Sequence, residues 1–302
     1  LGLMMLGQVC AERFTDEELV SVHELDRDGV QALQQRAAEA ADMGFGFRDL
    51  LADGGPGPEL AVVPAGRFLF GSSPEEFGHK SDEGPRRWAA IRRPFAMGRF
   101  TVTAAEFERY QRATGFTFRS DLIRADGNFP VMNLRVQEVR DYLAWLSEQT
   151  GATYRLPTEV EWEYACRAGT RTPFAFGESV DCHQVHFNPS FPYEEQKQKK
   201  RWFLPRCLPM PSALDVGRYP CNAWGLHDMH GNVWEFTASR WSESLPAAVP
   251  DEQLSTLRER KPIVVRGGSY FDMAVRARSA ARQRRVWDEL DVNIGFRVVR
   301  EL

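Results

Sequence analysis

An α+β chain with few regular elements is the fold class the sequence predicts. Helical and strand-like patterns both occur along its 302 residues, and much of what lies between them is polar or rich in Gly and Pro. One stretch, Asn222–Phe236 (NAWGLHDMHGNVWEF), concentrates two Trp, two Gly and two Asn in fifteen residues, too dense for an ordinary surface loop. Its Trp residues can bury a large area between turns, and Asn232 and Glu235 offer oxygens at a spacing that suits a hard cation. The competing reading makes Asn232 a turn cap and Glu235 a helix cap or an Arg partner.

In chain order, Leu1–Ala11 (LGLMMLGQVCA) is apolar and ends in Val9-Cys10-Ala11, like the end of a secretory signal peptide. Read as a remnant cut after Ala11, it predicts an exported, periplasmic chain. Residues 12–58 form an expected helical extension and linker. Thr15 with Glu18 makes a capping box, Leu19, Val22 and Leu25 recur at helical spacing, and a second run covers Asp28–Met43. Asp53–Pro58 (DGGPGP) reads as the linker to a domain at 59–302.

Within that domain, Ala61–Phe70 reads as a strand pair turning at Pro64-Ala65-Gly66, and Ser72–Arg86 as a charged loop. A strand at Phe95–Thr103 leads to a helix over Ala104–Thr114 capped by Thr103. Another helix over Val136–Thr150 turns Val139, Leu143 and Leu146 inward. Thr158 and Glu161 cap a third, which carries Glu159 and Glu163 one turn apart; such a pair could do acid/base work, but a pair that is solvated or bridged to Arg is the reading taken. Residues 176–221 are irregular and hold a basic run, Lys197–Arg201 (KQKKR), beside Trp202. Ser242–Pro262 reads as a surface insertion, and strands at Ile263–Val265 and Asn293–Val299 close the chain. Between those strands stand Arg276, Arg278, Arg282, Arg284 and Arg285, which suit either an anion or acidic neighbours.

Bulk properties narrow the function. With 43% hydrophobic residues the chain can build a full core. A net charge of −4 argues against general nucleic-acid binding, and no apolar run reaches membrane-spanning length. Neither a Ser-His-Asp arrangement nor a phosphate loop nor a dinucleotide fingerprint emerges, so no catalytic residue is assigned. His227 and His230 read as loop or core histidines. A zinc site of Cys182, His183 and His186 with another Cys competes with disulfide chemistry, which is favoured.

Five ordered blocks, with the dense stretch Asn222–Phe236 among them as a sixth, carry a family resemblance: Val62–Gly71 (VVPAGRFLFG), Pro130–Asn133 (PVMN), Arg155–Arg167 (RLPTEVEWEYACR), Val265–Tyr270 (VRGGSY) and Asn293–Arg297 (NIGFR). From about residue 60 onward the chain resembles the formylglycine-generating-enzyme family, also called the sulfatase-modifying-factor family. That resemblance implies a C-type-lectin-like α+β frame with little regular secondary structure. It also implies a structural calcium held by Asn232, Val233 and Glu235, with Asn188 near the position of a further ligand.

The family's oxidase binds copper through two thiolates, and by the resemblance these should lie between Tyr270 and Arg282. That segment, YFDMAVRARSAAR, contains no Cys, and the nearest positions are Asp272 and Ala274. Copper and formylglycine generation are therefore not expected. Cysteines stand at 10, 166, 182, 207 and 221. Cys182 with Cys207 or Cys221 would staple the irregular stretch, but spacing leaves the pairing open. Cys166 matches a family Cys whose partner position is Ser279 here, implying a buried free thiol.

The functional expectation is a non-catalytic, exported binding protein, similar to a periplasmic regulator of type VI secretion that acts through threonine phosphorylation. The resemblance implies as partners the periplasmic domain of the kinase PpkA and the outer-membrane lipoprotein TagQ. Candidate partner contacts are Lys197, Lys199, Lys200, Arg201, Trp202, Arg276 and Arg278. Two alternatives stand beside it: a cysteine-independent periplasmic oxidase of the kind that acts in siderophore maturation, and a lectin-like ligand receptor.

Overall fold

A computed structural model describes residues 13–119, 126–246, 261–288 and 290–302. The expected leader at 1–11 and most of the expected insertion at 242–262 lie outside the described residues. Strands β1 (Gly46–Phe47), β2 (Leu60–Val63), β5 (Phe95–Gly98), β6 (Tyr154–Arg155) and β11 (Val299–Glu301) form a five-stranded antiparallel sheet in the order β1-β2-β5-β11-β6. A second sheet has the order β10-β7-β8-β9, from β7 (Trp234–Arg240), β8 (Ile263–Arg266), β9 (Arg282–Arg285) and β10 (Ile294–Gly295). Strands β3 (Gly66–Phe70) and β4 (Arg87–Ile91) pair as a separate hairpin.

Ala61–Phe70 is therefore two strands, as read, but they do not pair with each other. The chain bends between them because Tyr164 donates its hydroxyl to the Pro64 carbonyl at 3.0 Å. That ring leaves no room for a side chain at position 66, where a Cβ would meet the Tyr164 Oη at 2.4 Å.

Helices α2 (Ala104–Thr114), α3 (Val136–Thr150) and α4 (Glu159–Arg167) lie close to their expected spans. Thr103 caps α2 as read, with Glu106 completing a capping box there, and the Thr158–Glu161 box of α4 forms as read, each cap being worth about 1 kcal/mol. Val139, Leu143 and Leu146 are buried against the five-stranded sheet in a core that also holds Phe107, Tyr142 and Phe296. A second core joins Val63, Phe68 and Met97 to Trp162, Tyr164 and Trp224.

The N-terminal extension differs from expectation. Thr15 does accept the company of Glu18, whose carboxylate takes hydrogen bonds from the Thr15 backbone N–H and hydroxyl, but only a turn follows. Leu19 and Val22 are buried, Ser21 forms an isolated parallel bridge with Arg67, and only a short 3-10 turn, Val22–Glu24, follows where a longer helix was expected. A single helix, α1 (Arg27–Ala40), begins after Asp26, whose side chain caps Gly29.

Nor is α1 an appendage. Buried Gln34 donates to the carbonyls of Val62 and Trp224, at 2.8 and 2.9 Å, and Trp224 returns a bond to the Val30 carbonyl. The expected linker is likewise part of the domain, since β1 precedes it and Leu51 sits in the core.

Candidate functional site

The C-terminal face is built on the turn that leaves β8. Gly267 and Gly268 adopt φ of 102° and 72°, a left-handed pair that lets the chain reverse against Trp162. The turn presents Ser269-Tyr270-Phe271-Asp272-Met273. Asp272 accepts hydrogen bonds from the backbone N–H and hydroxyl of Ser269 and from the Trp234 indole at 2.8 Å. Ala274 is fully buried, and its N–H donates to the Phe191 carbonyl. The two positions nearest the missing thiols are therefore committed to structure, while Phe271 and Met273 between and beside them point outward and are exposed.

Behind this face lies a layer of buried ion pairs. Arg297 grips Glu235 through two parallel bonds of 2.8 Å, and the Trp162 indole donates to the same carboxylate at 2.8 Å. The other guanidinium hydrogens of Arg297 go to the Gly98, Arg99 and His227 carbonyls. Arg282 holds Glu159 in the same bidentate way, and Glu163 lies between Arg167 and Arg266. Burial raises the Glu163 carboxyl and the two guanidiniums more than offset it, so the group stays ionised. Such pairs fix geometry and leave no carboxylate free to exchange protons with a substrate. The bridged reading of Glu159 and Glu163 thus describes them well, although they are buried and not solvated.

The Arg set between the last strands also resolves into pairs. Arg278 is fully buried and holds Glu83 bidentately, with Glu76 on the same guanidinium. Arg276 is half-buried over the Trp234 ring and donates to the Arg282 carbonyl. Arg278 is thus engaged inside the domain, whereas Arg276 stays half-buried with its Nη1 lacking a hydrogen-bond partner among the described residues. Glu76 and Glu83 escaped the sequence reading: they stand 202 and 195 residues from Arg278, in a loop read only as polar, and no local pattern links them.

The expected calcium ligands are placed near one another but engaged with protein groups. Asn232, at φ 65°, clamps Leu214 by accepting from its N–H at 2.9 Å and donating to its carbonyl at 3.1 Å. The Asn188 side chain accepts from the Ser190 N–H, and Val233 is buried beside Phe129 and Met132. With Arg297 and Trp162 on the Glu235 oxygens, a divalent cation there would sit against a guanidinium. The residues present do not fit that ion.

Histidines and cysteines are structural too. His230 donates from Nδ1 to the Ala277 carbonyl at 2.7 Å, while its Nε2 accepts from the Ala175 N–H at 3.0 Å. Burial lowers this imidazole to about 4. His23 is held the same way, between the Gly169 carbonyl and the Leu69 N–H, and is also lowered to about 4 by burial. Cys166 is a buried free thiol 3.6 Å from the Ser279 hydroxyl, as the resemblance implied, and burial pushes it up to about 12, far from nucleophilic. Cys182 pairs with Cys207, whereas Cys221 is free and half-buried, so it is not part of the staple. That disulfide ties down the irregular stretch that follows α5 (Tyr193–Lys197), where Lys197, Lys199, Lys200, Arg201 and Trp202 are all exposed.

Comparison with known proteins follows the same lines. Residues 48–302 match the family described as the sulfatase-modifying factor enzyme 1-like domain. The chain belongs to that family. Formylglycine-generating enzyme of Mycobacterium tuberculosis (strain ATCC 25618 / H37Rv) is 25% identical over 304 residues, covering 80% of this chain and 97% of that protein. Inactive C-alpha-formylglycine-generating enzyme 2 of Bos taurus is equally similar, 25% over 292 residues, with 79% and 86% covered. Serine/threonine-protein kinase pkn1 of Chlamydia caviae is 24% identical over 79% of this chain but only 37% of its own length. Among solved structures, PvdO from Pseudomonas aeruginosa superposes with a TM-score of 0.71 at 30% identity, covering 86% of this chain and 98% of that one. Family members thus include enzymes and a protein named inactive, and the α+β frame expected of the family is the one observed.

Proposed function

We propose that the chain is a non-enzymatic, exported regulatory protein that binds a protein partner, similar to TagR, and acts upstream of the kinase PpkA in the control of type VI secretion. The observation that carries this reading is the Tyr270–Arg282 segment. Where a family oxidase would hold two thiolates, Asp272 and Ala274 are locked into the frame and Phe271 and Met273 face solvent. Apolar side chains presented on a rigid turn suit protein recognition better than electron transfer. Phe191 adjoins them through its carbonyl bond to Ala274, and the Gln196 amide donates to the Met273 sulfur, which extends the face toward Lys197, Lys199, Lys200, Arg201 and Trp202.

Further support comes from the likeness to part of the kinase pkn1, where a region similar to this domain shares a chain with a kinase. The Cys182–Cys207 disulfide suits an oxidising compartment, and no helix among the described residues is long and apolar enough to cross a membrane. TagQ would then hold the complex at the outer membrane.

The test is direct binding of the chain from Glu12 onward to the isolated periplasmic portion of PpkA, with and without a calcium chelator. Saturable binding is expected in both conditions, because protein donors already hold the Glu235 oxygens. The double variant Phe271→Ser, Met273→Ser should weaken it at least tenfold, or about 1.4 kcal/mol. Absence of binding to PpkA sinks this identification.

A second reading, a family oxidase that works without a cysteine pair, draws on the 30% identity to PvdO. Against it stand the buried carboxylates Glu159, Glu163 and Glu235, each held by a guanidinium, and His230, whose two ring nitrogens are both bonded to backbone groups. Turnover of a peptide substrate by the metal-loaded chain would favour this alternative.

A further inference from the structure

We infer that the loop between α5 and residue 210 binds the surface of an anionic phospholipid membrane, apolar side chains among the upper acyl chains and basic ones on the headgroups. Within nine residues the loop exposes Trp202 at 77%, Leu204 at 75%, Leu208 at 86% and Met210 at 46%. A soluble surface seldom gathers such side chains in one short segment unless something covers them. Trp at the head of the series suits the boundary between headgroups and acyl chains, where an apolar ring can be buried while its N–H stays wet.

Charge selects the occupant. Residues 193–210 carry five Lys or Arg (Lys197, Lys199, Lys200, Arg201, Arg206) and two Glu, a net +3 in a chain of net −4. The positive charge is thus concentrated beside the exposed apolar series, the arrangement that draws a segment to anionic lipid. A protein partner of opposite charge could read the basic run, but it would need a matching groove for four scattered apolar side chains.

Local structure supports insertion of side chains without insertion of backbone. Pro205, Pro209 and Pro211 keep the segment from becoming a helix, so its peptide groups must stay in the hydrated headgroup layer. Its base is fixed, since Cys207 is tied to Cys182 and Arg206 lies 3.7 Å from Asp181, while half-buried Phe203 lines a pocket with Val180 and Phe187. Fixing the base lowers the ordering cost of binding. This inference goes beyond the regulator reading and stands without it.

The experiment is co-sedimentation of the intact protein with large unilamellar vesicles, with no kinase present. Vesicles of phosphatidylglycerol mixed into phosphatidylcholine are compared with phosphatidylcholine alone, at low salt and at 0.5 M NaCl. Binding is expected on the anionic vesicles, weakening with salt, and little on the zwitterionic ones. Each basic residue contributes about fivefold, so the triple variant Lys197→Gln, Lys199→Gln, Lys200→Gln should lose about 100-fold in partitioning. The variant Trp202→Ser, Leu208→Ser should lose at least tenfold and abolish the blue shift of tryptophan emission on vesicle addition. Both sets of side chains lie outside the core, and circular dichroism verifies that each variant folds. No binding to anionic vesicles, or equal binding by both variants and the parent, overturns the inference. If the parent fails here yet binds PpkA, the exposed series belongs to the protein partner.

Discussion

Two regions of this molecule use the same residue types in opposite ways. In the interior layer, Glu235, Glu159 and Glu163 are each paired with a guanidinium, and the Trp162 and Phe70 rings beside them are buried. On the outer rim, Lys197, Lys199, Lys200 and Arg201 are exposed, as are Trp202, Leu208 and Phe271. A fold with so little regular secondary structure must fix its loops by side chains, and the interior layer does that. What remains unspent at the rim is what is available for function. Exposure of an apolar side chain is informative here because the frame beneath has already satisfied its own needs.

The contrast is broken most severely at Arg297. Its guanidinium binds Glu235 and three backbone carbonyls that join β5, β7 and the dense motif. Arg297→Ala leaves a buried carboxylate with one donor, Trp162, and should cost about 3–5 kcal/mol of unfolding free energy. Urea denaturation measures it directly. A loss below 1 kcal/mol would mean that the interior layer is not what holds the loops.

A weaker break comes from acid. His230 and His23 are neutral in the folded chain down to about 4, against 6.5 for a free imidazole. Between those values the unfolded chain binds protons that the folded chain does not, so stability is full above 6.5 and falls as pH drops toward 4. For fully buried His230 the loss is on the order of 3 kcal/mol. Both rings make the same geometric point: Nδ1 donates to a carbonyl and Nε2 accepts an N–H, so a second proton has nowhere to bond. Stability measured from pH 7.5 to 4.5 should decline, and His230→Asn should flatten the slope. A flat profile in the parent would show that these histidines open to water.

How much of this was legible in the sequence depends on distance along the chain. Helices α2, α3 and α4 were readable because caps and apolar spacing are local, and Thr103–Glu106 lies within one turn. The residues 14–25 misled for the same reason: their spacing is helical, but the bridge of Ser21 to Arg67, invisible locally, decided otherwise. Family blocks gave the frame and placed the missing thiols. Buried pairs such as Arg278–Glu83, separated by 195 residues, leave no signal in one sequence, which is why the sequence alone leaves Arg276 and Arg278 open between an anion and acidic neighbours. The Cys182–Cys207 staple was among the possible pairings but could not be chosen over one with Cys221 by spacing alone.

The smallest expected effect sharpens the comparison most. If the rim is free of structural duty, Trp202→Ser with Leu208→Ser should change the free energy of unfolding by no more than about 0.5 kcal/mol, the usual range for exposed positions. Trp202 and Leu208 are 77% and 86% exposed and belong to none of the buried clusters, so their removal vacates no core volume. Exposed apolar groups bring no stability by burial, and replacing them with Ser can even raise solubility. Parallel urea curves for parent and variant, with equal slope and midpoint, are the expected result. A loss of 2 kcal/mol or more would mean that these side chains are covered in solution by the protein itself, and both the partner face and the membrane loop would have to be given up.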